Sequence, residues 1–169
     1  SSKRVVRVPT DEKLAARTYP LTPEKIEGLI AHEIGTHAYR EHRGFRSTLK
    51  LLSVGLDRYE QDEEGVATYL EQQHTKPKDF SGEEGYLAIG LALGIDGHPP
   101  RTFREVFDVL VDYYRTVHSN PLDTARELAW KRCLRTFRGT PGDLPGVVFP
   151  KDIFYREGNV QLWKLLGSD

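Results

Sequence analysis

Ala31-His32-Glu33-Ile34-Gly35-Thr36-His37 sets two imidazoles five residues apart, with a carboxylate directly after the first. The stretch is one residue longer than the His-Glu-x-x-His zinc motif. In that motif both histidines share a helix face and the glutamate serves as general base. Four residues turn an α-helix by about 400°, which leaves two side chains about 40° apart; five residues leave them about 140° apart. A straight α-helix therefore cannot aim both rings at one ion. A π-bulge, with its i→i+5 bond, returns them to one face, and such bulges concentrate at functional sites. Gly35 lies between the histidines, where a distortion is easiest to accommodate. The stretch predicts a metal site on a locally widened helix; the competing reading is two surface histidines on an ordinary one.

The residues around it read as that helix. Thr22 suits the N-cap, Pro23 the first helical position, and Glu24 complements the dipole. Ile26, Leu29, Ile30, Ile34 and Ala38 recur at helical spacing, and the run is expected to reach about His42 and end at Gly44. Gly55 breaks the mixed stretch that follows, and a second helix is expected over 59–73. Glu60, Glu64 and Glu71 lie near one line of it, a pattern that ordinarily means a solvated face. Residues 86–93 suggest a short apolar helix closed by Gly94. Thr102 and Glu105 form a capping box for a helix running towards Val117. Asn120-Pro121 breaks it, and 122–137 gives a helix with a basic side that includes Arg126, Arg132 and Arg135. Val5, Val6 and Val8 are read as a short strand stopped by Pro9. Residues 147–155 are read as one or two strands around Pro150, and 161–166 as a short terminal helix. The expected fold is mainly α with a small β component (α+β), a zincin-like metallopeptidase core with its HExxxH motif on a distorted helix.

A chain of 169 residues predicts one domain, 1–169. Lys and Arg number 24 against 25 Asp and Glu, a balance that argues against a nucleic-acid binder driven by bulk charge. No apolar run reaches the length of a membrane span, and no signal-peptide pattern opens the chain. The single Cys133 makes neither an internal disulfide nor a cysteine zinc set, which fits a cytoplasmic setting. An opening Ser1-Ser2 and the absence of methionine lead us to expect a fragment of a longer protein.

Catalytic zinc commonly takes three protein ligands and keeps a fourth position for water. Two histidines thus call for a third residue from a neighbouring element. The 59–73 helix is the best source, and Glu63-Glu64-Gly65-Val66-Ala67 lies far enough downstream to return antiparallel. Gly65 would allow close helix approach beside the metal. Helical Glu and His residues also build di-iron sites, but a second Glu-x-x-His is then expected and none is present.

His32-Glu33-Ile34-Gly35-Thr36-His37 followed by Glu63-Glu64-Gly65-Val66-Ala67 resembles the microtubule-associated tyrosine carboxypeptidase family, whose bacterial relatives carry a Gln-Glu-Gly-Leu-Ala motif. Here Glu63 stands in place of the glutamine and Val66 in place of the leucine. Arg138-Gly139, Phe149, Lys151-Asp152, Tyr155 and Gly158 extend the resemblance, which runs from about residue 21 to the end. The resemblance implies His32, His37 and Glu64 as ligands of Zn2+, and Glu33 as base. It further implies a carboxypeptidase removing a C-terminal tyrosine or other aromatic residue from a protein or peptide tail, that of tubulin if the chain is eukaryotic.

A carboxypeptidase needs a cation for the substrate's terminal carboxylate. Arg132, Arg135, Arg138 and Lys151 are the candidates, and Tyr155 is a candidate hydrogen-bond donor to the oxyanion. Lys151 and Tyr155 stand out because they fall in the family-like stretch. An endopeptidase with the same metal chemistry, or a zinc-stabilised binding module without catalysis, are the alternatives.

Overall fold

The computed structural model describes residues 9–16, 20–77 and 79–167. A short helix α1 (Asp11–Ala15) precedes α2 (Pro23–His32), which is capped by the Thr22 side chain as its sequence predicts. A π-helical turn over Glu33–Ala38 joins α2 to α3 (Tyr39–Arg46). A 3-10 turn (Lys50–Ser53) leads to α4 (Tyr59–Thr75). Then come α5 (Glu83–Leu93), α6 (Phe103–Thr116) with the expected capping box, α7 (Leu122–Thr136) and α8 (Asp152–Leu165).

Among the described residues there is no strand, so the expected small β component is wrong and the fold is all-helical. The strand predicted at Val5–Val8 lies outside the described residues. That predicted over 147–155 is replaced by irregular backbone and a turn at Pro150-Lys151, then by α8, which also absorbs the short helix expected at 161–166. The reason is in what α8 buries: Asp152, Gly158 and Asn159, spaced at one helical face but carrying no apolar side chain. A search for hydrophobic periodicity passes over such a helix.

The helices form two packed halves. In one, α5, α6 and α7 enclose an apolar core of Ala88, Leu91, Val106, Leu110, Tyr114, Ala129 and Cys133 among others. Trp130 lies at its rim, half-exposed and edge-on to Phe103. In the other half α4 is central, with α2 on one side and α8 on the other. Small residues set both contacts. A Cβ on Gly28 of α2 would stand 3.1 Å from Glu71 Cγ of α4. A Cβ on Gly65 of α4 would stand 2.5 Å from the Gly158 carbonyl carbon and oxygen of α8. The close approach foreseen at Gly65 is real, but its partner is α8.

Where α4 meets α8 the interface is polar, and it reaches the loop before α5 through Ser81 N, which donates to Asn159 Oδ1. Asn159 Nδ2 donates to Gln72 Oε1 at 2.8 Å and to Thr68 Oγ1 at 3.1 Å, and Asn159 Oδ1 accepts from Gln72 Nε2 at 3.2 Å. Trp163 Nε1 adds a bond to Gln72 Oε1 at 2.9 Å. Satisfied partners make such burial tolerable. No helix of the described residues is long and apolar enough to cross a membrane.

Candidate metal centre

The widened turn sits where the two histidines need it. Across Glu33–Ala38 the helix makes π-type turns, and His32 and His37 come onto one side with ring centroids 5.2 Å apart. Buried Thr36 helps hold the turn: its hydroxyl donates to the Ala31 carbonyl, five residues back, at 3.2 Å. Gly35 matters less than its position suggests. A Cβ there would meet only the Ile30 carbonyl oxygen at 3.9 Å, so nothing steric requires glycine.

Helix α4 brings Glu64 against this face. Glu64 Oε2 lies 3.6 Å from His32 Nε2 and 3.7 Å from His37 Nε2. One ligand atom from each of the three residues lies within 4.8 Å of the others, a group able to hold a metal ion. Tetrahedral ligands about 2.0–2.2 Å from an ion stand about 3.3–3.5 Å apart, so two of the edges are within a few tenths of an ångström of that size. Glu64 Oε2 is buried and has no hydrogen-bond partner among the described residues. A buried carboxylate oxygen facing two Nε2 atoms without a proper hydrogen bond fits a site shaped for a cation.

Both histidines are held from behind. Each Nδ1 meets a carboxylate of α4: His32 meets Glu71 Oε2 at 3.1 Å, and His37 meets Glu63 Oε1 at 3.2 Å. Glu71 is therefore more than part of a solvated stripe. Glu63, the other acid considered for the third ligand, faces Nδ1 of His37 rather than the shared point.

The electrostatics agree with the geometry. Burial opposes charging of His32, but the neighbouring carboxylates of Glu64 and Glu71 outweigh that and raise its pKa to about 9. His37 is also pushed up, first by the Glu64 carboxylate beside it. Burial opposes ionisation of Glu64, yet both histidines pull it down to about 2. A proton thus occupies the His32 imidazole of the metal-free site at neutral pH. Metal uptake at pH 7 should release about one proton, that of His32, and binding should weaken as pH falls. Titration calorimetry in buffers of different ionisation enthalpy reads the number directly; uptake without proton release would contradict the arrangement.

A pocket of about 370 Å³ opens over the group. His32, Glu33, His37, Arg40, Tyr59, Glu60, Glu63, Glu64, Lys151 and Tyr155 line it. Six residues picked from the sequence therefore share one cavity: His32, Glu33, His37, Glu64, Lys151 and Tyr155. Lys151 Nζ stands 3.8 Å from Glu64 Oε1, and burial followed by the charge of Glu64 raises the Tyr155 phenol's pKa. Arg132 and Arg138 do not reach this pocket. Arg132 is held by Glu84 Oε2 at 2.6 Å and Asp152 Oδ2 at 3.5 Å, and Arg138 stacks 4.1 Å over the Phe149 ring. Arg135 is also committed to Asp152 Oδ2, at 2.6 Å. Two arginines of the basic side of α7 thus anchor the start of α8, and with it Lys151 and Tyr155.

Sequence reasoning passed over Arg40 and Tyr59. Arg40 donates from Nε to Glu63 Oε1 at 2.6 Å and lies 4.9 Å over the Tyr59 ring. Its spacing of three from His37 on a helix was the available signal. The chain matches no family model, no curated protein and no solved structure.

Proposed function

We propose that this pocket is the active site of a zinc-dependent metallocarboxypeptidase acting on a peptide or protein tail. The convergence of His32 Nε2, His37 Nε2 and Glu64 Oε2 supports it most directly. Two nitrogen donors and one oxygen donor are the ligand set of several catalytic zinc sites. Bound there, zinc would supply Lewis acidity, acidifying water towards neutral pH and polarising a carbonyl.

The rest is the work of this chain's side chains. Glu33 lines the pocket and is not one of the three ligand residues, so its carboxylate is available as a base. It takes a proton from the attacking water and returns it to the leaving amine nitrogen. Tyr155, kept protonated by its raised pKa, donates a hydrogen bond to the oxygen on which negative charge develops. Lys151 receives the substrate's terminal carboxylate. Of the two cations lining the pocket, Arg40 is already committed to Glu63 and to backbone carbonyls, whereas Lys151 has, among the described residues, only the 3.8 Å approach to Glu64 Oε1. Selectivity for a terminal tyrosine rests on the family resemblance.

Purified protein, after elemental analysis, is incubated with peptides ending in tyrosine, phenylalanine or alanine, each as free acid and as amide, and the products are read by mass spectrometry. Loss of one terminal residue from the free acids is expected. Internal cuts would make it an endopeptidase, and intact peptides with zinc present would make it a binding module. Lys151→Ala should lower kcat/KM on free-acid peptides by about 10–100-fold, the worth of one charge-assisted hydrogen bond, with metal content unchanged. An equal loss on amidated peptides would remove Lys151 from this role.

A further inference from the structure

The two histidines are not held alike. Glu71, behind His32, has a side chain 34% exposed, whereas Glu63, behind His37, is 9% exposed. The Glu63 Oε1 atom that faces His37 Nδ1 at 3.2 Å also accepts from Arg40 Nε at 2.6 Å. Arg40 Nη1 in turn donates to the carbonyl oxygens of Leu52 and Ser53, each at 3.0 Å. Tyr59, at the start of α4, covers the guanidinium. One carboxylate oxygen is thereby fixed from three elements: α3, the 3-10 turn and α4.

A single oxygen held this firmly can do two things to an imidazole. It accepts the Nδ1 proton, which selects the tautomer with a free Nε2 lone pair. It also fixes the ring plane, and so the direction of that lone pair. Glu63 stands immediately before Glu64 on α4, so the residue that aims His37 and the residue that meets it are locked to the same backbone. From this arrangement we infer that Glu63, clamped by Arg40, is the positioning residue for His37, and that Arg40 makes the 3-10 turn part of the metal site's support. The inference rests on the metal reading of the pocket and is independent of peptide cleavage.

Metal affinity and spectroscopy test it without any substrate. Glu63→Ala should weaken zinc binding by about 10–100-fold, the usual loss on removing a partner behind a ligand histidine. It should also alter the d–d bands of the cobalt-substituted protein. Glu63→Gln keeps an acceptor for both His37 and Arg40 and should recover most of the affinity. Arg40→Ala, which leaves Glu63 present but unclamped, should fall between. In wild-type protein loaded with zinc, nitrogen NMR should find the His37 proton on Nδ1, a result that needs no variant to fold. Unchanged affinity and bands in Glu63→Ala, or a His37 proton on Nε2, would overturn the inference. So would complete loss of metal in Glu63→Ala with retention in Glu64→Ala, since Glu63 would then be the ligand. Wild-type protein that binds no metal would instead sink the metal reading on which it stands.

Discussion

Glu33→Gln is expected to lower hydrolysis by about 10²–10⁴-fold, the contribution of a well-placed general base, while zinc content stays at the wild-type level. The amide fills the same volume but cannot take a proton from water. Glu33 lines the pocket without belonging to the ligand group, so its loss should leave His32, His37 and Glu64 as they are. Turnover of metal-loaded protein on a cleaved peptide, with elemental analysis beside it, separates the two effects. A variant with full turnover would take the base assignment away from Glu33, and one that loses its zinc would show the residue to be part of the metal's support.

Gly158→Ala should be the most damaging single methyl in the site half. Its Cβ would fall on the carbonyl oxygen of Gln61 and lie 3.0 Å from the Gly65 nitrogen, both in α4. Backbone atoms on a packed helix cannot swing aside as a side-chain end can, so α8 must move as a body. Overpacking of this kind costs about 1–3 kcal/mol and occasionally more; with backbone on both sides, about 3 kcal/mol or above is expected. At this chain length that corresponds to a melting temperature lower by about 6–12 °C. The displaced helix begins next to Lys151 and carries Tyr155, so KM should rise as well. Calorimetry showing no loss of stability would mean that the two backbones are farther apart than described.

How legible the molecule was in its sequence depended on what each helix buries. The caps of α2 and α6 were visible at Thr22 and Thr102, where side chains accept backbone N–H groups within one turn. The amphipathic α6, which buries Val106, Leu110, Val111 and Tyr114, was equally plain. Helix α8 was not, because the face it buries consists of Asp152, Gly158 and Asn159. Polar burial leaves no apolar period to read. The same limit affected α4, which buries Glu64, Gly65, Ala67, Thr68 and Gln72: its helix was found, but its acidic line was taken for a solvated face. Local chemistry carried the metal group further than periodicity did. His32 and His37 were out of register for an α-helix, and that mismatch itself called for the wide turn. The partners behind them could not be read from spacing alone, since Arg40, Glu63 and the carbonyls of Leu52 and Ser53 meet only through tertiary packing.

The wide turn at Glu33–Ala38 has a bearing on how such signatures are catalogued. It amounts to one residue of slack taken up locally, with ordinary helix resuming on either side. Two chains that differ by that single insertion could present the same pair of nitrogens, yet a gapless comparison would set a histidine opposite a threonine. A helical metal signature is better defined by where its donor atoms arrive than by the number of letters between them.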